Sequence, residues 1–241
     1  PSAKSTPADD RGEETGEIAW KEAGEEGDGD DDESDEDYSD DGGDEGEDGY
    51  RPGGYHPVNI GERYHTRYTI LQKLGWGHFS TVWMVHDKKC KAGPYPTPEF
   101  VALKIQKSAP HYRESAIDEI ELLKSASDCA RSDKVLQEFG PTYDPSVVLL
   151  LDHFDHTGPN GTHMCMVFEM LGENLLEVIK KYNYKGIPID IVRSIAKQIC
   201  VGLDFLHRHC NIIHTDLKPE NLLISRPPTP PPAEVVAGLL S

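Results

Sequence analysis

The first fifty residues decide where in this chain a fold can lie. They carry 22 Asp and Glu against three basic residues, Lys4, Arg11 and Lys21. Stretches such as "EEGDGDDDESDEDYSDDGGDEGEDG" combine like-charge repulsion with glycine flexibility and offer almost nothing apolar to bury. They cannot offset the entropy of ordering, so residues 1–53 are expected to form a disordered acidic tail. The rest of the chain carries 21 charges of each sign, so the whole formal net charge of −19 belongs to the tail.

No apolar run approaches the roughly 20 residues that cross a bilayer, and no basic region followed by an apolar segment opens the chain. The expectation is a soluble intracellular protein with no membrane partner. The five cysteines are widely spaced and form no Cys-x-x-Cys pair, which predicts reduced and mostly buried thiols.

From Tyr64 the texture changes. "YTILQKLGWGHFSTVWMVHDKK" predicts two strands around a glycine-containing turn, and "FVALKIQK" a third strand. "CKAGPYPTPE" between them is turn chemistry. In "YRESAIDEIELLKSAS", Ala116, Ile117, Ile120, Leu123 and Lys124 recur at helical spacing, with acids in the first turns. "VVLLLDHFDH" and "HMCMVFEML" flank the turn signal "TGPNGT" and predict a hairpin. That gives five strands and one helix. "NLLEVIKKYN" then reads as a short helix and "PIDIVRSIAKQICVGLDFLHRHC" as a long one beginning at Pro188, with Ile191, Ile195, Ile199, Leu203 and Leu206 on one face. "IIH" reads as a further short strand.

Three motifs carry chemistry. "LGWGHFSTV", which is Leu74, Gly75, Trp76, Gly77, His78, Phe79, Ser80, Thr81 and Val82, places two glycines at a strand-turn-strand, where backbone N–H groups can approach phosphate oxygens. By itself a Gly-x-Gly at a hairpin turn is more often structural than nucleotide-binding. In "VALK", Ala102 precedes Lys104 on an apolar strand, and an inward lysine there needs an anion. Glu119 of the following helix is the expected carboxylate, while Asp118 and Glu121 point to solvent. In "HTDLKPEN", Asp216 can orient a hydroxyl nucleophile or accept its proton, Lys218 can neutralise a transferring phosphoryl group, and Asn221 can ligate magnesium.

Residues 68 to 224 resemble the first part of a eukaryotic protein kinase. "KLGWGHFSTVW", "HYRESAIDEIELLK", "MCMVFEMLGENLL" and "IIHTDLKPENLLI" resemble the serine/arginine-rich protein-specific kinases, and "GYHPVNIGERY" resembles the segment before their catalytic domain. The resemblance implies an α+β, protein-kinase-like fold. Residues 54–67 would be a pre-kinase segment, 68–171 a five-stranded antiparallel N-lobe with one helix, 172–224 the first helices of an incomplete helical C-lobe through the catalytic loop, and 225–241 a proline-rich spacer. It implies ATP and Mg2+ as cofactors, with Leu74 and Val82 above the adenine and Ala102 beside it. Phe168 would be the gatekeeper, and the backbone of Glu169 and Leu171 would bond the adenine edge. The implied substrates are Arg/Ser-rich splicing factors, met by a monomer without direct nucleic-acid contact, in cytoplasm and nucleus.

Three departures stand out. Ser80 replaces the third loop glycine. Thr215 stands where many kinases have arginine, which points to activity independent of activation-loop phosphorylation. No D-F-G or A-P-E occurs in the sequence, so the expectation is a chain that stops before the D-F-G. A second reading stays open: a catalytically incompetent kinase fragment that acts as a binding module. For the tail, attraction of arginine-rich substrates predicts that deleting residues 1–50 raises the apparent KM for an Arg-Ser peptide at low salt and leaves it unchanged at high salt, as steady-state kinetics would show.

Overall fold

The computed structural model describes Gly46 and residues 49–90 and 98–240. Most of the expected acidic tail and of the Cys90–Glu99 turn therefore lies outside the described residues. The strands are β1 (Arg63–Tyr64), β2 (Tyr68–Gly77), β3 (Ser80–Asp87), β4 (Phe100–Gln106), β5 (Leu150–Gly158) and β6 (Gly161–Phe168). They form one antiparallel sheet in the order β1-β2-β3-β4-β6-β5. Five of these strands match the expected ones. The sixth, β1, was missed because two residues carry no alternation to detect; it pairs Arg63 with Thr69 and Tyr64 with Tyr68.

Strand alternation gives the sheet two different faces. On the outer face Tyr68, Ile70, Trp83, Val85, Val101, Leu103, Ile105, Phe154, Cys165 and Val167 form a core, closed by Tyr64 of β1 and by Val58 of the segment that precedes the sheet. On the inner face Met166 and Phe168 of β6, with Leu150, meet Ala116, Ile120 and Leu123 of helix α1 (Pro110–Ala130). Burial on both faces explains why β3, β4 and β6 read as nearly continuous apolar runs.

Helix α1 starts two residues earlier than its apolar pattern, with Pro110 in the first turn, so the acids expected there fall in later turns. Ile117 and Lys124 of its expected apolar face are exposed, while Asp118 and Glu121 are solvated as anticipated. A second helix, α2 (Asp133–Phe139), had not been anticipated. Its signals are nonetheless present: Ser132 accepts a bond from the Val135 N–H at 3.4 Å, and Gly140 ends it at φ 89°.

Beyond the hairpin, α3 (Leu175–Lys181) is capped by Asn174, and α4 (Ile189–Asp204) runs into a π-helical turn, Phe205–Cys210. Phe205 and Leu206 pack under α1 and α2 with Ala126 and Val135, which joins the helical part to the sheet part. Residues 212–214 form no strand; the pairing occurs instead as a bridge between Asn174 and Leu223. The proline run does not stay irregular either. It delivers α5 (Ala233–Leu240), whose first turn bonds back to the Pro232 carbonyl and whose Val236 packs on Leu71 and Met84. Prolines exclude a helix interior but not the residues in front of a first turn. All five cysteines are free, yet only Cys165 is buried; Cys90 follows β3 in a turn and Cys200 lies on an exposed face of α4.

One ionic network ties the sheet together. Arg67 donates from Nε and Nη2 to the two Asp87 carboxylate oxygens, each at 2.6 Å, and from Nη1 to Asp152 at 2.9 Å. The Tyr68 hydroxyl also donates to Asp152, at 2.6 Å. Burial alone would push the Asp87 carboxyl up, but the Arg67 fork and the Lys89 N–H outweigh it and hold it below its ordinary value. Asp87→Asn should therefore cost about 3 kcal/mol by denaturant unfolding, because Arg67 loses its buried partner. Since the folded-state pKa is depressed, this contribution is complete above the ordinary carboxylate value and fades as the pH falls through the lower, folded one. Unfolding of Asp87→Asn should accordingly be less acid-dependent than that of the parent.

Candidate active site

The β2–β3 hairpin turns through two residues, His78 and Phe79, with Gly77 paired to Ser80. Neither Gly75 nor Gly77 has a positive φ, and a Cβ added at either would meet no protein atom within 4 Å. The fold itself therefore has no need of glycine at these positions. What their bareness leaves is open backbone beside Lys104, as a phosphate-binding turn requires.

Cross-strand register sorts the predicted residues between the faces. Val82 lies opposite Lys104, and Met84 opposite Ala102, which in turn faces Phe168. This places Val82, Ala102, Lys104 and Phe168 together on the inner face. Thr81 belongs to the other face: it is fully buried there and its Oγ1 accepts from Trp83 Nε1 at 3.0 Å. Trp76, paired with Thr81, shares that outer side, so neither side chain reaches the nucleotide face. Strand alternation turns both side chains away, so what these two residues can offer a nucleotide is their backbone.

On the inner face Lys104 Nζ donates to both Glu119 oxygens, at 2.7 and 3.0 Å. Gln106 adds a weaker contact to the same carboxylate at 3.4 Å. Beneath the hairpin tip, Gly77, His78, Phe79, Ser80, Lys104 and Glu119 line a cleft of about 340 Å³. Phe168 packs into the cluster of α1, Leu150 and Met166 and closes the back of this face. Glu169, Met170 and Leu171 follow, half-buried. Burial pushes the Glu169 carboxyl up, and it accepts the Leu149 N–H at 3.4 Å, so the Glu169 side chain is spent on the protein. Leu74 and Met170 share an apolar cluster with Val236 and Leu239 of α5, which sets the C-terminal helix beside the expected adenine position.

The remaining predicted residues lie on a loop. Asn211, in the left-handed region at φ 56°, stops the π-helical turn. Thr215 has φ 60°, an unfavourable value for a β-branched residue, and the Asp216 N–H donates back to the His214 carbonyl at 2.8 Å. This tight turn presents Asp216 to solvent, where Lys218 Nζ lies 3.1 Å from Oδ2. Asn221 Nδ2 donates to Asp216 Oδ2 at 2.9 Å and to its carbonyl at 3.0 Å. The lysine, with help from Asn221 and His214, holds the Asp216 carboxyl below its ordinary range, so it is a carboxylate at neutral pH. With the amide nitrogen of Asn221 committed, its oxygen is the end suited to a cation. Backbone bonds from Gly172 N–H to the Ile224 carbonyl (2.7 Å) and from Ile224 N–H to the Glu173 carbonyl (3.0 Å) strap this loop to the segment between β6 and α3.

One contributor was not foreseen. The Tyr55 hydroxyl donates to the Gly77 carbonyl at 2.8 Å, and Lys107 stacks over the Tyr55 ring at 4.5 Å. The pre-kinase segment thus holds the tip of the glycine turn, and only its resemblance, not any spacing, marked Tyr55 in the sequence.

A glycine turn over an inward lysine–glutamate pair and a loop carrying Asp216, Lys218 and Asn221 are the kinds of part that phosphoryl transfer of the protein-kinase type uses. Comparison with known proteins agrees. The protein kinase domain family matches residues 68–229, and the chain belongs to that family. It is 55% identical over 177 residues to the serine/threonine-protein kinase SRPK of Physarum polycephalum, covering 73% of this chain and 38% of that protein. Identity is 51% over 178 residues to the protein kinase dsk1 of Schizosaccharomyces pombe and 50% over 175 residues to human SRSF protein kinase 3, covering 73% of this chain and 30% and 28% of those proteins. The chain thus spans between about a quarter and two fifths of the length of these relatives. A crystal structure of a kinase domain superposes with a TM-score of 0.58 at 26% identity, over 72% of this chain and 44% of that one.

Because the Tyr55 bond fixes the glycine turn, Tyr55→Phe should weaken nucleotide binding by roughly fivefold, the equivalent of one ordinary hydrogen bond, with folding intact. Fluorescent-nucleotide titration beside circular dichroism would check this.

Proposed function

We propose that this chain carries the ATP-binding lobe and catalytic loop of a serine/threonine protein kinase that phosphorylates serines in Arg/Ser-rich splicing factors. The observation that carries the reading is the Lys104–Glu119 pair, at 2.7 Å, under a glycine turn whose glycines the fold does not itself need. The substrate class rests on the names of the relatives, among them a kinase of SRSF proteins. Cytoplasm and nucleus are the compartments in which such substrates would be met, by a monomeric kinase.

In this reading Lys104 holds the phosphates and Asp216 orients the serine hydroxyl for in-line attack, while Lys218 offsets charge on the transferring group. Bound Mg2+ would neutralise charge on the phosphates, and Asn221 is the residue here that would hold it. The Asp of a D-F-G, absent from this sequence, is the other ligand such a site uses. Lys218 favours the ionised form of Asp216, and a carboxylate so held can accept a hydrogen bond from the serine hydroxyl.

A second reading has its own support: Ile189, Ile191, Val192, Ile213, Leu217 and Leu223 are exposed on α4 and around the catalytic loop. An apolar face of this kind fits a chain that binds partners without turning over. Two measurements separate the readings. Thermal shift with ATP and Mg2+ should show stabilisation that Lys104→Met removes. In a chain extended to include a D-F-G, Asp216→Asn should lower phosphorylation of an Arg-Ser peptide at least 100-fold, roughly the scale of a lost positioning base. Full activity in that variant would reject the assignment, and a shift without turnover in any extension would favour the binding module.

A further inference from the structure

The outer face of the sheet holds a second cluster of chemistry, away from Lys104. His156 and His163 lie directly opposite one another on β5 and β6. Between them the chain inserts His56, its ring centroid 4.5 Å from that of His156 and 4.9 Å from that of His163. Gly158 makes the insertion possible, since a Cβ there would lie 2.3 Å from the His56 ring. His56 is 3% exposed and its Nε2 is 3.1 Å from His156 Nε2. Glu62 completes the group: one ligand atom from each of His56, Glu62 and His156 lies within 4.8 Å of the others.

Two buried imidazoles and a half-buried third are a costly way to fill an apolar face. His56 Nδ1 and His163 Nε2 are both buried there without a hydrogen-bond partner, a state native structures keep rare. The geometry has a different use. Two nitrogens bound to one tetrahedral Zn2+ at about 2.0–2.1 Å must stand roughly 3.3–3.4 Å apart. The two Nε2 atoms are already within a few tenths of an ångström of that spacing, with a carboxylate on the same side. Two imidazoles and one carboxylate select zinc over magnesium or calcium, which take oxygen ligands.

We propose that His56, His156 and Glu62 bind one Zn2+, with water in the fourth position, and so clamp the segment before the kinase domain onto the β5–β6 hairpin. Zinc takes the place of the proton that one Nε2 donates to the other; that proton moves to Nδ1 of the same ring, so both imidazoles bind as neutral ligands. The clamp lies one residue from Tyr55, which holds Gly77. The proposal stands on the outer face alone and does not depend on the kinase reading.

The test uses the full 241-residue chain, stripped with EDTA and titrated with ZnCl2 against a chromophoric chelator. One Zn2+ per chain is expected, with X-ray absorption showing two imidazole nitrogens and oxygen near 2.0 Å and no sulfur. His156→Gln and Glu62→Gln should each weaken binding on the order of tenfold or more, since even outer-shell changes cost about that much. Cys210→Ser should leave it unchanged. Glu62 is only partly buried, so Glu62→Gln still decides the matter if His156→Gln does not fold. No stoichiometric binding, a sulfur shell, or wild-type affinity in the folded variants would overturn the site.

Discussion

Lys104 stands between Leu103 and Ile105, both buried, on a strand with apolar neighbours on either side. An ammonium group there must meet an anion or lose its charge. Glu119 supplies the anion, and it can do so only if α1 lies across the inner face with Ala116 and Ile120 seated on β5 and β6. One ion pair therefore fixes the rotation of α1, and through α1 the seat of α2 and the π-helical turn that leads to the catalytic loop. At about a quarter to a third exposure the pair is not a large source of stability; its value is positional.

The outer face depends on a different segment. Residues 55–64 cover the sheet with Val58 and Tyr64, and Asn160 at the β5–β6 turn receives them: its Nδ2 donates to the Tyr55 carbonyl at 2.6 Å, and its own carbonyl accepts from the Gly53 N–H. Without that cover, Tyr68, Trp83 and Phe154 would face water. The segment before the kinase domain is thus part of the lobe's core, and it reaches round to the glycine turn through the Tyr55 hydroxyl.

What the sequence made legible follows from how local each signal is. Alternation exposed β2, β3 and β4, and the Lys104–Glu119 pairing was readable because a charge on an apolar strand demands a partner one element away. The motif around Trp76 and Thr81 does not carry the register, and only cross-strand pairing shows that their side chains point outward. Helix α5 was hidden by its prolines, whose exclusion from helix interiors says nothing about the turn that follows them. The histidine cluster was illegible for a stronger reason. His56 and His156 are a hundred residues apart, and only the hairpin register and the missing Gly158 side chain bring them together.

The catalytic loop shows what holds a functional geometry where ion pairs are weak. Asp216 and Lys218 are both exposed, so their attraction is screened and cannot by itself fix a carboxylate in place. Backbone restraint does that work instead. The left-handed Thr215, the Asp216 N–H to His214 bond and the strap from Gly172 and Glu173 to Ile224 define the loop's path, while Asn221 pins Asp216 from two sides. A strained residue next to an oriented carboxylate is tolerable only when its surroundings over-determine it. Around Thr215 they do so through main-chain bonds, so the path of the loop does not depend on the Lys218–Asp216 pair.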